Sequence, residues 1–195
     1  VVMGTRKQQA AQTEAELKAA AIRVFERTGY LNTKITDITA EAGRATGSFY
    51  KHFASKERLL EVLLADLLAE ADASSELSGH PDDFRDRAAV RWHVTVFWSF
   101  YGRHRAVMSA LQQAAIVDEE FARRSREMLE PDLHHIAGHL AGLDLPADPL
   151  VAASFFTTTL SALAAGWFAG PSVGEHEMIE SVTTFLHQGL GGAAR

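Results

Sequence analysis

The residues best equipped for chemistry cluster in two places. One is the stretch TKITDITAEAGRATGSFYKHFASKERLL, Thr33 to Leu60, where Thr46, Ser48, Tyr50, Lys51 and His52 crowd hydroxyl, ammonium and imidazole groups together. Such groups hydrogen-bond or ion-pair with phosphate oxygens, a chemistry of binding rather than of bond breaking. The other place is His134, His135 and His139, of which His135 and His139 stand four apart and would face one way on a helix. A zinc site would need further ligands at the right geometry. No HExxH, no Ser-His-Asp signature and no phosphate-cradling glycine loop occurs in the chain. The histidines are therefore read as surface or pocket polarity. No catalytic residue, metal or cofactor is assigned, and an enzyme is the weaker hypothesis.

The elements that must position the first cluster can be read from spacing. Thr33 can cap a short helix carrying Ile35, Ile38 and Ala42, which Gly43 ends. Another runs from about Ala45 to Lys51 and shows mainly Phe49 to the core. Ser55, with Arg58 three residues on, opens a longer helix of about residues 55–73 through Leu59, Leu60, Leu63, Leu64, Leu67 and Leu68. Ahead of them, Leu17, Ala21, Val24 and Phe25 form an apolar stripe on a helix from Thr13 to Thr28, with Thr13 and Glu16 as a capping box and Gly29 as the stop. Two short helices crossed by a tight turn are the minimum device for placing one helix in the major groove of DNA. A helical hairpin used only for packing is the alternative, but it gives the polar residues of the short helix no use.

Net charge is −6, which speaks against DNA until it is divided along the chain. Residues 1–60 hold ten Lys and Arg against six Asp and Glu, a net +4, whereas residues 61–195 hold nine against 19, a net −10. A basic head on an acidic body fits a DNA-contacting domain joined to a second one; chance unevenness would look the same, and charge alone does not decide. Arg6 and Lys7 suit either a solvated tail or a disordered arm reaching the minor groove. Hydrophobic content of 47% is that of a soluble globular protein. No apolar run approaches the roughly 20 residues that span a bilayer. The opening VVMGTRKQQ lacks a signal-peptide pattern, and Val1 and Val2 read as additions ahead of Met3. With no cysteine, a reducing cytoplasm fits.

Beyond Leu68 the chain again reads as helix. Ser74 to Asp83, with Gly79 and Pro81, is a surface connection, followed by helical blocks Phe84–Tyr101, Arg103–Ala115, Asp118–Leu140 and Pro149–Phe168. Pro131 should kink the third of these. Gly170-Pro171 breaks the chain before an amphipathic helix, Glu175–Leu190. The class is all-α: a helix-turn-helix domain over residues 1–58, then a helical domain over residues 59–195.

The pattern Phe25-(x3)-Gly29-Tyr30-(x2)-Thr33, then Ile35-(x2)-Ile38-(x3)-Ala42-Gly43, Gly47-Ser48-Phe49-Tyr50-Lys51-His52-Phe53 and Ser55-Lys56-Glu57-(x)-Leu59-Leu60 resembles the tetracycline-repressor (TetR) family over roughly residues 13–64. Physical reasons accompany the match. Gly43 lets the chain turn, and Gly47 keeps the reading helix slim for close approach to DNA. Thr33, Lys34, Ser48, Tyr50 and His52 are candidates for phosphate contacts, and Lys56 adds charge beside a helix N-terminus. The resemblance implies that Arg44, Ala45, Thr46 and Lys51 lie nearest the base edges. Two departures stand out, because the family commonly has alanine at Thr39 and Val-Ser at Arg44-Ala45. Losing that serine removes a helix cap, and Arg44 is expected to compensate with a phosphate or guanine contact.

Residues 84–168 are rich in large aromatics, which at helical spacing serve as core or as the wall of a ligand cavity. The resemblance implies an apolar small-molecule cavity. Phe97, Trp98, Tyr101 and Met108 are candidates for one wall, with Phe121, His135, Phe155 and Thr159 across from them, suited to a planar or hydrophobic effector. Near the C-terminus, small residues including Ala162 and Ala165 permit close helix approach, and Val182, Phe185, Leu186 and Leu190 form an apolar stripe. By resemblance these pair with a second copy as a four-helix bundle; burial within one copy is the alternative. The expectation is a homodimeric, cytoplasmic one-component repressor that binds palindromic double-stranded operator DNA and is released by a small-molecule effector. A constitutive DNA-binding or protein-partner module without an effector is the alternative.

Overall fold

The computed structural model describes residues 2–78, 81–145 and 147–190; Val1, and Gly79 of the expected connection, lie outside them. Among the described residues are eight α-helices and no strand: α1 (Val2–Thr28), α2 (Ile35–Glu41), α3 (Thr46–His52), α4 (Lys56–Ser78), α5 (Arg87–Val117), α6 (Glu119–Leu140), α7 (Pro149–Ala169) and α8 (Glu175–Gly189). The all-α reading stands, and most boundaries fall within a residue or two of their expected places.

The three largest differences each have a physical reason. α1 begins well before Thr13, whose hydroxyl donates to the Gln9 carbonyl at 2.9 Å inside the helix instead of capping it. Ala and Gln are good helix formers, so nothing in the preceding residues stops the helix. Arg6 and Lys7 are thus on helix, not on a disordered arm. α4 runs on to Ser78, because the segment expected as a connection has neither Gly nor Pro before Gly79. α5 joins two expected blocks into one helix bent at His104, where φ is −111° and ψ 18°.

The chain packs as two compact units, one of Val1–Glu70 with Ala106–Ser125 and one of Ala71–Arg105 with Arg126–Arg195. This division differs from a linear one at residue 58. It passes through α4, α5 and α6, so each of those helices belongs to both units.

In the first unit Leu17, Ala20, Ala21, Val24 and Phe25 of α1 are buried, as the helical spacing requires, together with Leu59, Leu60, Leu63 and Leu64 of α4. Gly29, at φ +75°, accepts the left-handed turn that ends α1, its amide donating to the Phe25 carbonyl at 2.9 Å. Tyr30 then enters the core, and its hydroxyl donates to Glu57 Oε1 at 2.7 Å. Lys56 Nζ stands 3.9 Å from the centre of the Tyr30 ring and donates to the carbonyls of Tyr30 (2.8 Å) and Thr33 (2.9 Å). Burial lowers the Lys56 pKa and, with Glu57 beside it, raises that of Tyr30. Burial also pushes Glu57 upward, but hydrogen bonds from Tyr30 and Ser55 hold it below its ordinary value. The start of α4 is therefore fastened to the loop ahead of α2. Ser55 caps α4 as expected, its Oγ accepting from the Arg58 amide at 3.2 Å. Deeper in α4, buried Glu61 accepts from Arg124 Nε of α6 at 2.6 Å and from Arg58.

The second unit has its core at Phe84, Val90, Val94, Trp98 and Tyr101, with Ala153, Phe156 and Leu160 of α7 and Ile179, Val182 and Leu186 of α8. Asp148 caps α7, its Oδ1 accepting from the Leu150 amide at 2.9 Å, and Pro149 takes the first helical position. By length and composition alone α7 is long and apolar enough to cross a bilayer, where no such run was expected, a property that the core helix of a globular protein shares. It is apolar on two sides: Ala152, Ala153, Phe156, Leu160 and Ala164 are buried in the unit, while Val151, Phe155 and Leu163 are exposed. Glu180 of α8 accepts from Arg87 Nη2 at 2.7 Å and from Arg91 Nε, tying α8 to the start of α5.

Two outcomes are expected. Lys56→Met should lower stability by about 1–3 kcal/mol, since two buried carbonyls lose a charged donor. The urea midpoint followed by circular dichroism checks this, and an unchanged midpoint would show that water replaces the ammonium. Hydrogen bonds from Arg87 and Arg91 hold the Glu180 carboxyl down from its ordinary 4.5 to about 2. A depressed carboxyl pKa stabilises the fold above pH 4.5 and loses that contribution as pH falls toward 2. Glu180→Gln should therefore flatten the acid limb of the stability curve in that window and leave the limb above neutrality unchanged.

Candidate nucleic-acid interface

α2 and α3 are built around three anchors, with Ile38 and Phe49 fully buried and Phe53 nearly so. The Phe49 and Phe53 rings lie 5.5 Å apart, so one turn of α3 is clamped by aromatic packing. Between the helices Gly43 sits at φ +63° and donates to the Ala40 carbonyl at 3.0 Å, while the Arg44 amide donates to that of Thr39 at 2.8 Å. A side chain at Gly43 would meet no neighbour but would strain the backbone, so the turn itself calls for glycine. Thr39, where the resembled family commonly has alanine, is buried with its hydroxyl donating to the Thr36 carbonyl at 3.2 Å.

With Phe49 turned inward, α3 presents Thr46, Gly47, Tyr50 and Lys51 to solvent, Tyr50 being 57% exposed. Ser48 and His52 are half-buried at the edges, and His52 Nδ1 lies 3.8 Å from Glu14 Oε2 of α1. Ala45 occupies the cap position of α3 with no side-chain hydrogen bond, as loss of the serine implies. Lys34 is exposed at the start of α2, its amide donating to Asp37 Oδ2 at 2.9 Å. Arg44 is exposed too, with its guanidinium on Glu16 of α1, Nε donating to Oε2 at 2.9 Å and Nη2 to the same oxygen. Gln12 Nε2 holds the other oxygen of Glu16 at 3.0 Å. Hydrogen bonds from Gln12 and Arg44 lower the Glu16 pKa. No local pattern points to this partner, which stands 28 residues from Arg44 on another helix.

Two of the expected DNA contacts, Thr33 and Lys56, have partners within the protein. Thr33 is buried and neither caps α2 nor faces outward; its hydroxyl donates to the Gly29 carbonyl at 2.7 Å, and Lys34 takes the cap position. Lys56 directs its ammonium to two carbonyls of the α1–α2 loop, which leaves one of its three N–H donors for a further acceptor. Both residues thereby fasten the α1–α2 loop.

The expected effector residues divide between the units. Met108 and fully buried Phe121 belong to the first unit, and the other six to the second. In the second unit Phe97 lies 6.0 Å from Tyr101, Tyr101 stacks on Phe168 at 5.5 Å, and Trp98 meets Trp167 at 5.6 Å and Phe168 at 5.9 Å. Gly102 lies under Phe168, where a Cβ would come within 2.8 Å of the ring. Trp98 is fully buried and its Nε1 has no hydrogen-bond partner. His135 is exposed, with Nε2 3.2 Å from that of His139, and Thr159 is half-buried. No group of three or more metal-ligating side chains occurs among the described residues. Phe155 is 65% exposed on α7 and so cannot serve as the inner wall of a cavity within the unit.

Of the expected dimer residues, Val182, Leu186 and Leu190 are buried within the unit and are not available as a stripe for a second copy. The helical period divides α8 between two faces, leaving Phe185 outward at 64% exposure. On α7, Ala162 is exposed and Ala165 half-buried.

The family model for bacterial regulatory proteins of the tetR family matches residues 17–63. The chain is 29% identical over 147 residues to the HTH-type transcriptional repressor NicS of Pseudomonas putida, covering 73% of this chain and 65% of that protein. It is 31% identical over 110 residues to the HTH-type transcriptional regulator EthR of Mycobacterium tuberculosis, covering 56% and 51%. The matches thus span about half to two-thirds of the length of these curated relatives. Likeness of fold reaches further. The transcriptional regulator FadR of Bacillus subtilis, solved in complex with stearoyl-CoA, superposes with a TM-score of 0.74 at 18% identity, over 90% of this chain and 98% of that one. NalD, the secondary repressor of the MexAB-OprM multidrug efflux pump in Pseudomonas aeruginosa, gives 0.71 at 18% over 92% and 97%. The helix-turn-helix match and the all-helical likeness beyond it agree: residues 17–63 match the tetR family of bacterial regulatory proteins, and the chain resembles such regulators in fold over most of its length.

Proposed function

We propose that this chain is a cytoplasmic, one-component transcriptional repressor that binds palindromic double-stranded operator DNA as a homodimer and is released by a small hydrophobic effector. The observation that carries the reading is the outward row of Thr46, Gly47, Tyr50 and Lys51 on a short helix anchored by Phe49. Nothing inside the protein needs a glycine at position 47: a Cβ there would meet no atom within 4 Å, and the backbone is not left-handed. A helix otherwise gains about 1 kcal/mol from alanine over glycine. The small residue makes sense when something outside must come close, and a phosphate or base edge is that something. Thr46, Lys51 and Arg44 reach toward bases in this reading, with Ala45 beside them, while Lys34, Ser48, Tyr50 and His52 set the register on phosphates.

The repressor names of the relatives support the regulatory part of the reading and do not favour the constitutive alternative. The second unit supports the effector part. Trp98 buries an indole N–H without an acceptor, a cost of about 1–3 kcal/mol that a ligand oxygen would relieve. An effector with an apolar body and one hydrogen-bond acceptor fits the Phe97, Trp98, Tyr101 and Phe168 cluster. Such a ligand would act by population shift, favouring a dimer whose two reading helices no longer match successive major grooves about 34 Å apart. The homodimer rests on the outward faces of α7 and α8, where Val151, Phe155, Leu163 and Phe185 are exposed.

Selection of bound sequences from a random DNA pool at fixed salt tests the reading, with a palindromic consensus as the expected result. Gly47→Ala should keep or raise the melting temperature yet weaken binding to that consensus at least tenfold. Equal binding by this variant, or a pool with no enrichment, would remove the DNA-reading role of α3. Phe185→Glu should give a monomer in sedimentation, with operator affinity falling alongside. A variant that stays dimeric would place the subunit contact elsewhere.

A further inference from the structure

Arg44 stands where the family commonly has valine, and its surroundings explain how an arginine there can read a base instead of merely attracting phosphate. Glu16 Oε2 receives both Nε and Nη2 of Arg44, so the carboxylate occupies one edge of the planar guanidinium. Five N–H groups radiate from a guanidinium in a fixed plane. With the Nε–Nη2 edge engaged, the remaining edge, made by Nη1 and the second N–H of Nη2, is the pair that fits O6 and N7 of guanine. Glu16 is itself held by Gln12, one turn earlier on α1. The chain Gln12–Glu16–Arg44 fixes the plane and direction of the guanidinium in the turn just ahead of α3, before any DNA arrives.

Charge points the same way. An arginine alone at this place would neutralise a phosphate wherever it met one, adding affinity with no sequence information. The Glu16 carboxylate offsets that charge, so the pair is neutral overall and repays binding only where directed hydrogen bonds are made. Fixing the side chain beforehand also lowers the entropy lost on binding. From this geometry, and resting on the regulator reading above, we infer that Glu16 is a specificity-determining positioning residue, a buttress that turns Arg44 into a guanine reader.

The test uses the full chain as the wild type, Glu16→Gln, Arg44→Ala and the double variant. Each is titrated against the selected operator, against operators changed symmetrically at one base pair per half-site, and against unrelated duplex, at several salt concentrations. Glu16→Gln should bind unrelated duplex as well as or better than wild type, with the slope of log affinity against log salt steeper by about 0.9 for each Arg44 released to a phosphate. It should lose discrimination by about 5- to 100-fold at one base-pair position only. That position should be the one at which Arg44→Ala loses discrimination, and the double variant should be no worse than Arg44→Ala. Melting temperatures should barely differ, because a half-exposed pair contributes little stability. Loss at that position in Arg44→Ala but not in Glu16→Gln would remove the buttress and leave Arg44 acting alone. No position-specific loss in either, or equal loss at all positions, would overturn the proposal as a whole. These outcomes are read only in the variants, whereas failure of the regulator reading would appear in the wild type as the absence of any selected operator.

Discussion

A helix of seven residues cannot hold itself together in water, since isolated helices shorter than about 12–15 residues are marginal even with good formers. α3 has that length, contains a glycine and lacks a side-chain cap. Its geometry therefore has to be imposed from outside, and the first unit is organised around doing so. Phe49 supplies the burial and Phe53 the aromatic neighbour at the C-terminal end. Gly43 sets the turn at the N-terminal end. Residues on α3 that are free of structural duty are then the ones left to face outward.

The same constraint gives Thr33 and Lys56 a structural role. In this chain the loop ahead of α2 and the start of α4 are fixed to each other. Lys56 makes that connection by donating to two loop carbonyls above the Tyr30 ring, and Glu57 completes it by accepting from the Tyr30 hydroxyl. The loop is held a second time by Gln113 of α5, whose Oε1 accepts from the Leu31 amide at 3.3 Å and lies close to Gly29. Residues from the far end of α5 and the start of α6 thus take part in the unit that carries α3. That is why no single cut in the sequence separates the two units.

α7 shows how one composition can signal several environments. Its apolar character is enough for a bilayer span, a buried core helix or a subunit interface. The structure divides the helix into a face buried in its own unit and a face that is exposed, and only the latter is available to a second copy. α8 makes the same division, with Val182 and Leu186 inward and Phe185 outward. Apolar stripes counted along a sequence cannot be assigned to one partner or another, because adjacent positions on a helix point to different neighbours.

Local chemistry carried far in this chain. Helical periodicity, Gly29 and Gly43 at the two left-handed turns, and the Ser55 and Asp118 caps determine where helices begin and end, because these preferences act over three or four residues. The outward row of α3 follows once Phe49 is assigned to the core. What only the tertiary structure decided are the partners across distance: Glu16 for Arg44, Tyr30 and its loop for Lys56, and Arg87 and Arg91 for Glu180. A threonine or lysine written next to a motif looks the same whether it faces solvent or a carbonyl. Its role depends on which backbone groups are left without partners nearby, and folding alone settles that.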